Sequence, residues 1–238
     1  QGGKLNDITK EDLISLVSLE GKEYLYYKTV APNVAFIRAT TCDSEGYATF
    51  EDEVMYLDAL VIAEAVHNNG GIVMMQVQKM VKKATLHPKA VRIPGYLVDI
   101  VVVDPAQTQL YGGAPVNRFI SGDFTLDDSE RVKIPLNQRK VVARRALYEM
   151  KKGAIGNVGV GIADGIGLVA REEGCDEDFV LTVETGPIGG ITTQGVAFGA
   201  NVNTRAILDM TAQFDFYHGG GFDVCYLSFA EVDQHGNV

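Results

Sequence analysis

The sequence lacks several features that mark particular classes of protein. It has no tryptophan, and its three cysteines, Cys42, Cys175 and Cys225, lie far apart. That spacing excludes a disulfide framework and a CxxC metal site, and reduced thiols are typical of a cytoplasmic protein. The four histidines are equally scattered, and none has a partner at metal-ligand spacing. We therefore expect no metal site and a cytoplasmic location.

Basic residues and long apolar runs are also scarce. Lys and Arg number 21 against 31 Asp and Glu, which gives a net charge of −10. An acidic chain is a poor candidate for nucleic-acid binding, which depends on basic side chains that neutralise phosphates. No uninterrupted apolar run approaches the roughly 20 residues that cross a bilayer. Neither nucleic acid nor a membrane is therefore an expected partner, and an anionic ligand would need a local basic cluster such as 79–83 or 139–145.

Strand and helix patterns alternate along the chain, joined by glycine-rich turns. This order predicts an α/β fold with open, mostly parallel sheets and flanking helices. The apolar strands at 72–76 and 97–103 are of the kind buried on both faces of a parallel sheet. The pattern predicts further strands at 23–28, 34–40, 47–51, 158–163, 179–184 and 222–229, and helices at 9–19, 53–67, 137–150, 165–173 and 201–211. A hairpin turn is predicted at 43–46. Thr9 and Asn137 are the expected N-caps of their helices, and Gly21 is expected to end the first helix.

A weak internal echo links the two ends of the sequence. Residues 39–47 and 229–237 both contain an Asp-x-x-Gly turn that follows a predicted strand. A duplication of one unit would produce this echo. Chance would produce it as well, because Asp-x-x-Gly is ordinary turn chemistry. Both explanations stay open from the sequence.

Glycine is the one residue type in clear excess. The 26 glycines concentrate at 153–167, 186–199 and 218–221. No complete G-x-G-x-x-G opens a predicted helix and no GK[ST] is present, so a dinucleotide site or a P-loop is only weakly indicated. Glycines that follow strands can line a ligand crevice at the carboxyl edge of a sheet. They can equally serve as tight turns.

Glu184 stands out among the titratable residues. It ends a predicted β-branched strand and directly precedes Thr185-Gly186-Pro187-Ile188-Gly189-Gly190. A carboxylate in that position could act as a base, a metal ligand or a nucleophile. An exposed structural carboxylate is the alternative, because no His or Asp partner lies nearby in the sequence.

Several ordered segments resemble the family I coenzyme A transferases, specifically the long acetate or propionate type with both halves on one polypeptide. The resemblance covers essentially the whole chain and implies two similar domains, each incomplete. Residues 1–120 would form the C-terminal part of the first domain, and residues 121–136 would connect the two domains. Residues 137–238 would form the N-terminal part of the second domain, which carries the catalytic glutamate. The matching segments are 37–51, 71–78, 86–88, 91–95, 98–99, 156–163, 184–190, 219–223 and 231–237.

The resemblance implies ping-pong transfer of coenzyme A between short-chain acyl-CoA and a carboxylic acid. The family's nucleophilic glutamate falls on Glu184, which would form an acyl-glutamyl anhydride and then a glutamyl-CoA thioester. CoA is then a substrate, and no cofactor is implied; a homo-oligomer is expected. The residues expected to line the CoA site are Gly159, Gly161, Gly189, Gly190, Gly219 and Gly220. An acyl-CoA hydrolase with the same glutamate, or a non-catalytic ligand-binding module, is the alternative.

This chain is expected to be incomplete as a catalyst. Its first methionine is Met55, and no signal-peptide pattern precedes it. Two glycine-rich loops of the family, one near the N-terminus and one after the Asp-x-x-Gly-Asn turn, are not found in residues 1–238. We predict that purified residues 1–238 alone do not transfer CoA and need the rest of the same polypeptide. A normal transfer rate from this purified chain would contradict the prediction.

Overall fold

The computed structural model describes residues 8, 11–110, 113, 115–127 and 133–237. No helix in this part of the chain is both long and apolar enough to cross a membrane. The helices are α1 (Ala59–Asn68), α2 (Gln138–Leu147), α3 (Ile166–Glu173) and α4 (Met210–His218). The strands are β1 (Ile14–Leu19), β2 (Lys22–Tyr27), β3 (Val34–Asp43), β4 (Ala48–Thr49), β5 (Ile72–Val81), β6 (Val91–Ile93), β7 (Ile100–Val103), β8 (Ile155–Val158), β9 (Val180–Thr182), β10 (Pro187–Ile188), β11 (Ile191–Thr192), β12 (Asn201–Val202), β13 (Ala206–Ile207) and β14 (Val224–Tyr226).

The first large sheet has the strand order β6-β4-β3-β5-β7. Strands β3, β5 and β7 are parallel, and β4 returns antiparallel to β3 through the predicted hairpin turn. Side chains on a strand alternate between the two faces, so every second residue of β3 and β5 joins the core against α1. These buried residues include Ala35, Ile37, Ala39, Val73, Met75, Val77, Ala63 and Val66.

The expectation that 97–103 is buried on both faces is wrong. Strand β7 is the edge of its sheet, and Val102 and Val103 are 49% and 45% exposed. The opposite face of the central strand is also open at Phe36, which is 79% exposed. A run of β-branched residues reflects strand preference as well as burial, which explains the error.

The second large sheet has the order β13-β10-β9-β8-β14 and is covered on both faces. Strands β8, β9 and β14 are parallel, whereas β10 and β13 run antiparallel. Leu181 points into a core formed by α2 and α3, and the next residue, Thr182, bonds to Tyr217 of α4 on the other face. The predicted α/β class is confirmed, with mixed rather than mostly parallel sheets.

Each large sheet lies within one of the two predicted units. The strands of the first sheet fall within 34–103 and those of the second within 155–226. The described residues of the expected connection, 121–127 and 133–136, contain no helix or strand. The unit boundaries themselves stay predictions.

The predicted helix at 9–19 is wrong, because β1 and β2 form an antiparallel hairpin there. The expected N-cap, Thr9, lies outside the described residues. Glu20 and Gly21 both have positive φ, 50° and 79°, as a type I′ hairpin turn requires. Gly21 therefore reverses a strand instead of ending a helix.

Two further elements in the second half differ from expectation. The helix predicted at 201–211 is replaced by β12 and β13, and the helix α4 begins only at Met210. Asn203 has a φ of 57°, which a helix interior does not accept. The strand predicted at 158–163 is β8, which ends at Val158, and Gly161 then turns the chain with a φ of 109°.

The two Asp-x-x-Gly turns have the same hydrogen-bond pattern. The Asp43 carboxylate accepts the backbone N–H groups of Glu45 and Tyr47, at 2.9 and 3.1 Å. The Asp233 carboxylate accepts those of His235 and Asn237, at 2.8 and 2.9 Å. Each turn is therefore built around an aspartate that organises its own loop, so the echo extends from sequence to geometry.

The cap of α2 gives a stability prediction. The Asn137 side chain accepts the backbone N–H of Lys140 at 3.0 Å, as the sequence predicted. Asn137→Ala should lower the free energy of unfolding by about 1 kcal/mol, because an orphan donor of the first turn loses its acceptor. Asn137→Asp retains the acceptor and serves as the control. Equal urea midpoints for the alanine variant and the unmodified protein would contradict the prediction.

Candidate active site

Glu184 lies in a tight turn at the carboxyl end of β9. The backbone N–H of Gly186 donates to the Val183 carbonyl, and that of Val183 donates to the Pro187 carbonyl, both at 3.0 Å. Gly186 has a φ of 119°, and a β-carbon at this position would overlap the carbonyl oxygen of Leu208. Only glycine satisfies both conditions. The residue two positions after Glu184 therefore fixes the turn that presents the carboxylate.

The Glu184 carboxylate is half-buried and incompletely paired. Its Oε2 atom is inaccessible to solvent and has no hydrogen-bond partner. Most buried polar atoms in proteins are hydrogen-bonded, and leaving one unpaired costs free energy. An unpaired carboxylate oxygen retains its full electron density for an incoming electrophile or donor. Buried polar atoms without a partner include groups with catalytic roles, so this oxygen makes Glu184 a candidate for one.

A polar strip crosses the sheet beside Glu184. Cys225 of β14, Asn157 of β8 and Thr182 of β9 are neighbours in register on three parallel strands. The Asn157 side-chain amide donates to Cys225 Sγ at 3.7 Å. Glu184 follows Thr182 by two residues and so continues the strip toward the carboxyl edge of the sheet.

Helix α4 covers this strip with two buried polar side chains. Gln213 Nε2 donates to the Tyr217 hydroxyl at 2.8 Å, and Tyr217 lies 2.8 Å from Thr182 Oγ1. Thr182 donates its one hydrogen to the Gly156 carbonyl at 2.9 Å, so the Tyr217 hydrogen must point to Thr182. No hydrogen bond joins this chain to the Glu184 carboxylate. The chain stabilises the wall of the site without neutralising the carboxylate.

The charge of Glu184 acts on the two acidic groups that face it. Burial raises the pKa of the Cys225 thiol, and the negative charge of Glu184 raises it further. Burial and the same carboxylate also raise the pKa of the Tyr217 phenol, whereas its hydrogen bonds with Gln213 and Thr182 lower it. Both groups therefore stay neutral near pH 7.

The structure brings only some of the predicted glycines to Glu184. Gly159 and Gly161 follow β8 and lie at the same carboxyl edge of the sheet. Gly219 and Gly220 end α4 and lead back to the start of β14, which is the opposite edge. Gly189 and Gly190 follow the turn in sequence and lie beside the Leu181 and Val202 carbonyls, respectively.

The backbone amides of most of these glycines already have acceptors. Gly159 donates to Tyr226, Gly189 to Leu181, Gly219 to Asp215 and Gly220 to Tyr217. These four N–H groups serve the fold and do not form a row of free donors. Contacts between the six glycines and CoA stay predictions.

The two basic clusters are largely paired with carboxylates. In the first, Lys83 lies 2.6 Å and Lys79 3.6 Å from glutamate oxygens. In the second, Arg139 lies 3.4 Å from Asp164 and also donates to the Gly161 carbonyl at 2.6 Å. Arg139 is therefore close to the edge that carries Glu184. Among the described residues, no group of three or more His, Cys, Asp or Glu side chains is placed to hold a metal ion.

Sequence reasoning missed the polar wall around Glu184. A local signal did exist: Asn157 and Thr182 are polar residues inside short, otherwise apolar strands, and Thr182 lies two positions before Glu184. Gln213 and Tyr217 gave no such signal, because their helix was expected in another place. Their proximity to Glu184 depends on the packing of α4 across the sheet.

Comparison with known proteins relates this chain to one family. Residues 5–104 match the model of the family described as coenzyme A transferase. The chain is 87% identical over 238 residues to the acetate CoA-transferase YdiF of Escherichia coli K12. The match covers 100% of this chain and 45% of that protein. Over its whole length the chain is therefore similar to coenzyme A transferases, as the resemblance of its segments predicted.

Two further relatives extend the comparison. The caffeate CoA-transferase of Acetobacterium woodii is 41% identical over 240 residues, which cover 100% of this chain and 46% of that protein. A crystal structure of the acyl-CoA transferase YdiF of E. coli O157:H7, a thioester complex with CoA, superposes with a TM-score of 0.90 at 84% identity. The match covers 100% of this chain and 44% of that one. The chain thus spans just under half the length of these relatives.

The position of Cys225 allows the electrostatics of the site to be tested. Glu184→Gln removes the charge that raises the pKa of the thiol. More thiolate then forms at pH 8, and iodoacetamide should alkylate Cys225 a few fold faster, because the thiolate is the nucleophile. The rate is measured by mass spectrometry of the Cys225 peptide. Cys175 is the internal control, since its raised pKa arises from burial and from Glu173, Asp176 and Asp178; an unchanged Cys225 rate would place Glu184 elsewhere.

Proposed function

We propose that this chain carries the nucleophile of an acyl-CoA:carboxylate CoA-transferase, and that the nucleophile is Glu184. The observation that supports this most directly is the buried, unpaired Oε2 of Glu184 at the carboxyl edge of the second sheet. Ligand crevices of α/β folds lie outside the carboxyl ends of the strands. The names of the relatives, acetate and caffeate CoA-transferase, support the same chemistry.

The proposed reaction proceeds through covalent intermediates on Glu184. The carboxylate attacks the thioester carbonyl of acyl-CoA, the C–S bond breaks, and an acyl-glutamyl anhydride and CoA thiolate form. The thiolate then attacks the glutamyl carbonyl and releases the acyl group as a carboxylate, which leaves a glutamyl-CoA thioester. An incoming acid reverses both steps. A thioester complex with CoA in the related YdiF crystal structure is consistent with this sequence.

The surroundings of Glu184 suit a weak nucleophile. A carboxylate is stabilised by water, and partial burial removes that stabilisation before the substrate arrives. The hydrogen-bond chain from Gln213 through Tyr217 to Thr182 gives no hydrogen to the carboxylate. The neutral Cys225 thiol does not compete with the CoA thiolate, because burial and Glu184 keep its pKa high.

The substrates follow from this chemistry. We propose acyl-CoA as donor and a short-chain carboxylic acid as acceptor, with CoA itself as substrate and no separate cofactor. The remaining length of the full polypeptide would supply the other side of the site, in keeping with the 45% of YdiF that the chain covers. The homo-oligomeric state and the cytoplasmic location stay predictions.

Trapping the intermediate tests the proposal. The full-length polypeptide is incubated with acetyl-CoA without acceptor and treated with borohydride or hydroxylamine, and the Glu184 peptide is examined by mass spectrometry. We expect a modified Glu184, and a kcat lower by at least a thousandfold in Glu184→Gln, which is about 4 kcal/mol of transition-state free energy. Glu149→Gln, at an exposed glutamate, is the matched control.

Other results would decide against transfer. An unmodified Glu184 in an active enzyme would exclude covalent transfer through this residue. Release of acetate at full rate without an acceptor acid would identify a hydrolase with the same glutamate. Binding of acyl-CoA without turnover in the full-length polypeptide would identify a non-catalytic ligand-binding module.

A further inference from the structure

The turn that carries Glu184 is supported from behind by residues of the first half of the chain. Thr185 Oγ1 donates to the Gly199 carbonyl at 2.6 Å, and Gly199 lies so close to Met55 that an added β-carbon would be 3.2 Å from its methyl group. On the other side of the turn, the Leu208 N–H donates to the Gly186 carbonyl at 3.0 Å. One support, Gly199, thus lies beside Met55. The other, Leu208, is two residues from Met210, which contacts Leu57.

The support continues from Leu208 into the start of α4. The N–H of Met210 donates to the Leu57 carbonyl at 3.1 Å. Leu57 has a φ of 51°, a strained conformation for a non-glycine residue that persists only when the surroundings impose it. The contact between residues 57 and 210 is thus a fixed joint between the two halves rather than a sliding surface.

The guanidinium of Arg92 in β6 makes two contacts at this joint. Its guanidinium forms an ion pair with Asp209, which lies 117 residues away in the sequence and precedes the first residue of α4. The same guanidinium lies over the ring of Tyr56, 3.8 Å from the centroid. Only arginine combines a flat stacking cation with a carboxylate-binding edge. Burial and the negative charge of Asp209 raise the pKa of Asp58. The positive charge of Arg92 therefore also offsets the repulsion between these two carboxylates.

We propose that Arg92 is a positioning residue for Glu184. It fixes Asp209, Asp209 fixes Leu208 and the start of α4, and these hold the Gly186 turn on one side and Gln213 with Tyr217 on the other. Arg92 does not touch the substrate in this scheme. The inference rests on the proposed function only for its kinetic consequences, because the position of Glu184 can be measured without turnover.

Two variants of Arg92 test the proposal in the full-length polypeptide. Arg92→Met keeps an apolar stem over Tyr56 but removes the ion pair, and we expect kcat to fall by at least tenfold with KM unchanged within twofold. Arg92→Lys keeps a cation beside Asp209 and should recover part of the loss. Arg118→Met is the control, since it removes an exposed arginine pair, with Asp123, whose side chains form no hydrogen bond to the Glu184 turn or to α4.

A single-turnover measurement separates misplacement of Glu184 from loss of folded enzyme. Glutamyl adduct formation from acetyl-CoA should reach full amplitude in Arg92→Met, at a rate reduced by the same factor as kcat. A normal rate with reduced amplitude would indicate a purely structural role and overturn the proposal. Equal rates in Arg92→Met and Arg118→Met would also overturn it.

The double variant and the thiol probe complete the test. Because Arg92 and Asp209 act as one unit, Arg92→Met with Asp209→Asn should be no slower than the slower single variant; additive losses would contradict the proposal.

Alkylation of Cys225 reports the charge of Glu184 without catalysis, and its rate should change in Arg92→Met but not in Arg118→Met. If the wild type forms no adduct, the proposed function fails, and an unchanged Cys225 rate in Arg92→Met would separately end the positioning role.

Discussion

The geometry of the site depends on the close backbone contact between Gly186 and Leu208. A β-carbon at position 186 would overlap the Leu208 carbonyl, so the turn that carries Glu184 exists only with glycine there. The contact also makes the turn dependent on the strand that precedes α4. Glu184 is therefore held by two segments that are more than twenty residues apart in sequence, and its carboxylate needs no hydrogen bond of its own to stay in place.

Electrostatics and packing have separate roles around this carboxylate. The hydrogen-bond chain through Gln213, Tyr217 and Thr182 satisfies buried polar atoms and ends on the Gly156 carbonyl. None of its hydrogens reaches Glu184, whose Oε2 stays unpaired. In the proposed role of Glu184 as nucleophile, such a wall does not stabilise its ground state. That combination favours interactions that develop only as the reaction proceeds.

The sequence alone predicted the α/β class, the hairpin at Asp43 and the cap at Asn137, because each depends on local pattern. It also singled out Glu184, and the family resemblance gave that residue a role. The sequence could not predict the partner of Arg92 or the helix over Thr182, since both depend on how distant segments pack. Residues 14–19, the first strand of the hairpin, fit a helical pattern because their apolar residues satisfy both periods, whereas the second strand agrees with the strand predicted at 23–28. Glycine excess indicated tight turns more reliably than it indicated a binding wall.

The ion pair between Arg92 and Asp209 also constrains the order of folding. Its partners are 117 residues apart, so it can form only after each sheet has assembled and the two have docked. Local turns such as those at Asp43 and Asp233 close in microseconds, whereas docking of preformed units is slower. During refolding, secondary structure would return first and the Glu184 turn last. The turn that carries Glu184 thus reaches its final geometry only when the two halves of the chain have come together.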